Sequence, residues 1–282
     1  MLWQTLGFDL NKKFFERGME NGNLSHAYLF SGQEMIGKKT FAVELTKIIT
    51  RVGSENNPNL LFVGGHETIG IAQIRDFKKF LSLKPYLDGH KIGIIDDCHL
   101  MTVEATNALL KILEEPPIDS LLILVTSNPH QLLPTIYSRC EEIRFEPHAR
   151  IRLLGYLKNL GLNQTQAEFL TDFSNGRIGL AYRLKENDSF KEIKSKLEQL
   201  NKILKSDING RLNFAEKVLQ DKESQNLSPT LLYWMFYLRS DLSRNLKINR
   251  AKVLRSLLKV NYILSKPQYN HRLAFENFLV NL

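Results

Sequence analysis

The sequence predicts an α/β fold, a doubly wound parallel sheet, followed by a chain that is helical to its end. Three observations carry this. Five short, mainly apolar runs alternate with helix-period stretches in the first half, the mark of strands covered on both faces. After Phe145-Glu146-Pro147 no strand pattern recurs. With 282 residues and 43% hydrophobic content, the chain can bury one large core or two to three smaller ones.

The apolar runs fall at 27–30, 60–63, 92–95, 121–125 and 143–145. Residues 71–81 form a helix because Ile71, Ile74, Phe77 and Leu81 make one apolar stripe. Residues 103–113 form another, stopped by Pro116-Pro117. These elements predict a first domain over 1–147. Short amphipathic helices at 150–160, 164–173 and 178–185 are joined by Gly161-Leu162-Asn163 and Ser174-Asn175-Gly176, which predicts a small helical lid over 148–186. Longer helices at 190–205, 210–221, 229–246, 250–265 and 271–282 predict a helical bundle over 187–282. There is no internal repeat and no low-complexity tract.

No apolar run approaches the ~18 residues that span a bilayer, and residues 1–11 lack the layout of a signal peptide, so the expected location is the cytoplasm, without membrane contact. Cys98 and Cys140 stand alone, which excludes a disulfide framework and a Cys-x-x-Cys metal site; no metal is expected. The formal net charge of +8 is concentrated: residues 239–272 hold nine Lys/Arg and one acid, Asp241, and the rest of the chain is balanced. Lys252, Arg255 and Lys259 sit at i, i+3, i+7 opposite Val253, Leu254, Leu257 and Leu258. An ordinary solvated helix face accounts for this, and a DNA-attracting surface is the other reading.

The chemistry starts at "SGQEMIGKKT", residues 31–40. Gly32, Gly37 and Lys38 fit the phosphate-binding pattern G-x-x-x-x-G-K-[ST], but Lys39 stands where the magnesium-ligating hydroxyl belongs. Using Thr40 instead would place Lys38 at the second glycine, so both registers are damaged. A lysine at 39 opposes metal binding while leaving backbone N–H groups at a helix N-terminus. The strand ending "IGIIDDCHL" delivers Asp96, placed to hold a nucleotide's magnesium, and Asp97, placed to orient water. Glutamate is usual at that second place, and aspartate, one methylene shorter, misplaces a water by ~1 Å, at a cost on the order of 10²-fold.

"LSHAYLFSGQEMIGKKTFA", "IGIIDDCHLMTVEATNALLKILEEPP", "TSNPHQLLPTIYSRC" and "GRIGLA" resemble the bacterial clamp-loader subunits of the AAA+ class, most of all the delta-prime type of DNA polymerase III. The resemblance runs from about residue 24 to 184, with the ending "HRLAFENFLVNL" also similar. It implies a P-loop AAA+ domain, a helical lid and a C-terminal collar through which five subunits form a ring. The implied partners are tau/gamma and delta subunits, the sliding clamp and primed DNA. It also implies a degenerate nucleotide site made of Gly32, Gly37, Lys38, Lys39, Asp96 and Asp97, with Asn128 near the first sensor position and Arg177 at the second. No cofactor of its own is expected, ATP being bound by neighbouring subunits. Ser138, Arg139 and Cys140 match the SRC motif, whose arginine resembles a finger reaching into a neighbour's ATP site; Cys140 is expected to pack and fix the turn that aims it. Many relatives insert a four-cysteine zinc module where residues 48–59 read "IITRVGSENNPN".

Two functions stay open on this sequence. One is a non-catalytic assembly subunit that supplies a group to a neighbour. The other is an ATP-hydrolysing tau/gamma-like motor, which needs a hydroxyl at 39 and preferably glutamate at 97. A generic DNA-binding module is a distant third.

Overall fold

A computed structural model describes residues 3–53, 57–65, 67–86, 89–186, 190–220, 227–244, 248–264 and 269–282. The chain divides into two compact units, residues 1–152 with 176–179, and residues 153–175 with 180–282.

The first unit is built on a five-stranded parallel sheet in the order β2-β3-β4-β1-β5. The strands are β1 (Ala27–Gly32), β2 (Leu60–Val63), β3 (Lys91–Ile95), β4 (Ser120–Thr126) and β5 (Glu141–Phe145). Pairing is in register through the middle: Phe30 lies beside Val125 on one side and Ile143 on the other. In β1, β3 and β4 burial does not alternate because each face is covered. The edge strand β5 differs from that expectation: Ile143 and Phe145 are buried while Glu141 and Arg144 are exposed, because no strand lies beyond it. Leu29, Ile95, Leu122 and Leu124 point into one core with Ile74, Phe77, Leu109 and Ile112 of α3 (Ile71–Leu81) and α4 (Val103–Glu114). Phe30, Ile92, Ile94, Ile123 and Val125 point into the other, against Phe15 of α1 (Asp9–Glu20) and Phe41 and Leu45 of α2 (Lys38–Thr50).

Helix α4 starts where Thr102 accepts a hydrogen bond from the Ala105 N–H and stops just before Pro116. The four-residue α5 (Pro134–Tyr137) precedes β5. Helix α1 adds an element that the sequence pattern does not predict. It opens without a side-chain cap from Phe8, whose backbone is left-handed at φ 57°, so its start carries no Ser/Thr/Asp/Asn signal.

The second unit is helical: α6 (Arg150–Asn159, which begins in the first unit), α7 (Gln164–Ser174), α8 (Ile178–Glu186, whose first two residues belong to the first unit), α9 (Phe190–Lys205), α10 (Ile208–Gln220), α11 (Leu227–Arg244), α12 (Ile248–Leu264) and α13 (His271–Val280). A reciprocal box between Asn163 and Gln166 starts α7, and Asn175, left-handed at φ 48°, ends it. Trp234 of α11 is fully buried, and its indole N–H donates to the Lys196 carbonyl of α9 at 2.8 Å. Phe173 of α7 meets the rings of Tyr233 and Phe236 of α11. Leu258, expected among the inward residues of α12, is 54% exposed, because Val253, Leu257 and Val260 already fill the buried stripe.

The expected helix ends at Asp221, Leu246 and Ser265, the domain boundary at 187, the basic residues Lys247 and Lys266, and residues 54–56 of the 48–59 stretch lie outside the described residues. Among the described residues no helix is long and apolar enough to cross a membrane.

Candidate functional site

The loop after β1 is held by contacts that leave it little freedom. Gly32 sits at φ 145°, and a Cβ there would lie 2.4 Å from the Phe145 carbonyl oxygen, so only glycine lets β1 end beside β5. Ile36 is fully buried, and its carbonyl lies 3.2 Å from Nε2 of His148. Gly37 then begins α2. The Lys38 ammonium turns back into the loop and donates to the carbonyls of Gly32 (2.7 Å) and Gln33 (2.6 Å). Burial pushes its pKa down to about 8, against the pull of the Asp96 and Asp97 carboxylates.

One residue on, the Lys39 ammonium stands 3.4 Å from the Asp96 carboxylate and 4.1 Å above the centre of the Phe62 ring. Asp96 and Asp97 are both buried, and Asp97 is left-handed at φ 50°, with its N–H donating to Asp96 Oδ1 at 3.2 Å. The carboxylate that would hold a nucleotide's magnesium thus faces a lysine ammonium from the position that should supply the metal's hydroxyl ligand. These residues do not fit a magnesium ion: one ligand is missing, and a positive charge occupies its side of the site.

Arg177 is buried, and its segment is stitched to the phosphate-loop side of the unit. The Gly179 N–H donates to the Met35 carbonyl at 2.7 Å, and the His148 N–H donates to the Gly176 carbonyl at 2.9 Å. Gly32, Gly37, Lys38, Lys39, Asp96 and Asp97 therefore form one group, and the Arg177 segment is bonded to the adjoining loop through Gly179 and Met35. Asn128 is exposed, and its N–H donates to Thr126 Oγ1 at 3.1 Å, a hydroxyl that also lies 3.2 Å from His99 Nδ1.

The Ser138-Arg139-Cys140 triplet forms a separate group at the end of α5. The Arg139 guanidinium donates to the Thr135 carbonyl (3.1 Å), to Ser138 Oγ (3.2 Å) and to Glu114 Oε1 (2.8 Å). Its side chain remains 33% exposed. Cys140 packs against the core beneath α4, and burial pushes its thiol up to about 12, so it is a packed residue and not a thiolate. Cys98 is fully buried and its thiol is raised further.

Glu114 and His148 were not singled out from the sequence. Glu114 sits in the stretch "LEEPP", which flagged it only as the end of a helix. His148 gave no signal, since its partner Ile36 lies 112 positions away.

A model of the family described as "DNA polymerase III, delta subunit" matches residues 9–149. The delta-prime subunit of DNA polymerase III from Bacillus subtilis is 33% identical over 210 residues, 68% of this chain and 63% of that protein, so the match spans less than two thirds of the relative. The tau subunit of the same organism is 29% identical over 55% of this chain and 31% of its own length. A DNA polymerase III gamma subunit-related protein from Thermotoga maritima shares the fold, with a TM-score of 0.56, 24% identity, and coverage of 95% of this chain and 97% of that one. With its parallel sheet and helical C-terminal half, this chain belongs to the DNA polymerase III delta-subunit family and is similar to the delta-prime subunits within it.

Proposed function

We propose that this chain is a non-catalytic member of a clamp-loader ring, one that has lost its own ATP chemistry and lends an arginine to a neighbour's. The observation that carries the reading is the approach of Lys39 to Asp96 at 3.4 Å, a built-in cation beside the carboxylate that an active subunit reserves for magnesium. The Lys38 ammonium supports it, because phosphates would have to draw it away from two loop carbonyls that already satisfy it.

In this reading Arg139 acts in trans. A guanidinium is always charged, and its planar fork donates two hydrogen bonds to γ-phosphate oxygens as charge redistributes in the transition state. Residues 148–186 act as the lid and 187–282 as the collar that assembles the ring with tau/gamma and delta subunits around primed DNA and the sliding clamp. The chain binds no cofactor, and ATP is held by its neighbours. The similarity to the tau subunit favours a second reading, a hydrolysing motor, but Lys39 and Asp97 oppose it.

Nucleotide binding by the chain alone, with and without magnesium, tests this. The expected result is weak or no binding, no gain from magnesium and no hydrolysis; metal-dependent micromolar affinity would favour the motor. Lys39→Thr restores the missing ligand, and metal-dependent binding is expected to appear in it. Its absence would locate the block elsewhere in the loop.

A further inference from the structure

The C-terminal helices carry a charge arrangement that neither the nucleotide site nor the SRC turn uses. Helix α12 contains no acidic residue, and Lys252, Arg255 and Lys259 all lie on its exposed side. It packs between α11 and α13. Those two helices contain one acid each, Asp241 and Glu276, and both are already matched: Asp241 to Arg250, and Glu276 to Arg272 at 2.8 Å. Among the described residues of these three helices, no carboxylate is left to compensate the stripe.

We propose that the exposed face of α12 is a DNA contact surface that holds the phosphodiester backbone through Lys252, Arg255 and Lys259. Charge complementarity selects the occupant, since the nine Lys/Arg and single acid of residues 239–272 account for the whole net charge of +8. Spacing agrees. Positions i, i+3 and i+7 cover about 10 Å of helix, long enough for the three cations to follow one stretch of phosphodiester backbone. Such contacts read no bases and act by releasing counterions, which gives them a measurable salt signature. The surface would operate whether or not Arg139 serves a neighbour, because it lies on other helices and uses other residues.

The test is fluorescence anisotropy of the full chain with a labelled oligothymidine of about 20 nucleotides, titrated between about 50 and 300 mM salt. Replacing Lys252, Arg255 and Lys259 together by Gln is expected to reduce the slope of log K against log salt by about 2, which lowers affinity about 100-fold at 0.1 M salt. A melting curve confirms that the variant is folded, and the single Arg255→Gln substitution, expected to take about 0.7 from the slope, gives an independent reading. A control in which the exposed Lys78, Lys84 and Lys111 become Gln removes the same charge from the first unit and is expected to bind as the parent does. Failure of the parent chain to bind at low salt, equal losses in the stripe variant and the control, or equally strong binding to a polyglutamate peptide of matched charge would each overturn the proposal.

Discussion

The Glu114 carboxylate meets the Arg139 guanidinium at 2.8 Å, joining the last turn of α4 to the turn that follows α5. The two side chains are 49% and 33% exposed, so solvent screens the pair and its net worth to folding is small. Glu114→Ala is therefore expected to change unfolding free energy by less than about 1 kcal/mol in urea denaturation. A much larger loss would mean that the pair holds the turn itself in place.

Gly179 has no room for a side chain. A Cβ there would lie 2.8 Å from the Met35 carbonyl oxygen, the group its own N–H contacts. Gly179→Ala should destabilise the chain by about 1–3 kcal/mol, the usual scale for forced overpacking, and should loosen the segment around Arg177. Thermal melting, with hydrogen exchange at Met35 and Gly179, measures both.

His148 gives the first unit an acid sensitivity. Burial depresses its pKa below the ordinary value of 6.5, although the Ile36 carbonyl pulls the other way. Below pH 6.5 the unfolded chain takes up a proton that the folded histidine refuses, so stability falls as pH drops from about 6.5 towards the folded pKa and is unaffected above that window. Melting temperatures between pH 7.5 and 5, in roughly half-unit steps, should decline less steeply in His148→Gln than in the parent chain. Parallel declines would remove His148 as the cause.

Much of this architecture is legible in the sequence because its signals are local. The central strands β1, β3 and β4 lie within about two residues of their apolar runs, since a strand covered on both faces has no polar alternation to blur it, whereas the edge strand β5 alternates and begins two residues before its run. The turn at Asn175-Gly176 follows from residues that tolerate left-handed backbone. Helix α1 is hard to read from sequence because its start carries no cap residue, and the exposure of Leu258 is not legible because spacing alone does not say how wide the buried stripe is. The lysine at position 39, where the phosphate-loop pattern asks for a hydroxyl, is legible in the sequence. Where the Lys39 and Lys38 ammonium groups point is not, since both depend on carbonyls and carboxylates delivered by the fold. Long-range pairs such as Glu114 with Arg139 and His148 with Ile36 leave no periodic trace at all.

The central claim is that this chain serves ATP hydrolysis in a neighbouring subunit through Arg139 while its own site stays silent. The most direct measurement compares DNA-stimulated ATPase and clamp loading of complexes rebuilt with the parent chain, Arg139→Ala and Arg139→Lys at equal assembly. Arginine fingers contribute on the order of 10³ to 10⁵ in rate at the site they serve, and other sites in the ring retain their turnover. The expected result is intact folding and assembly, with a clear fall in both activities for Arg139→Ala and a smaller one for Arg139→Lys, which keeps the charge but loses the fork. Indistinguishable rates in the three complexes would contradict the claim.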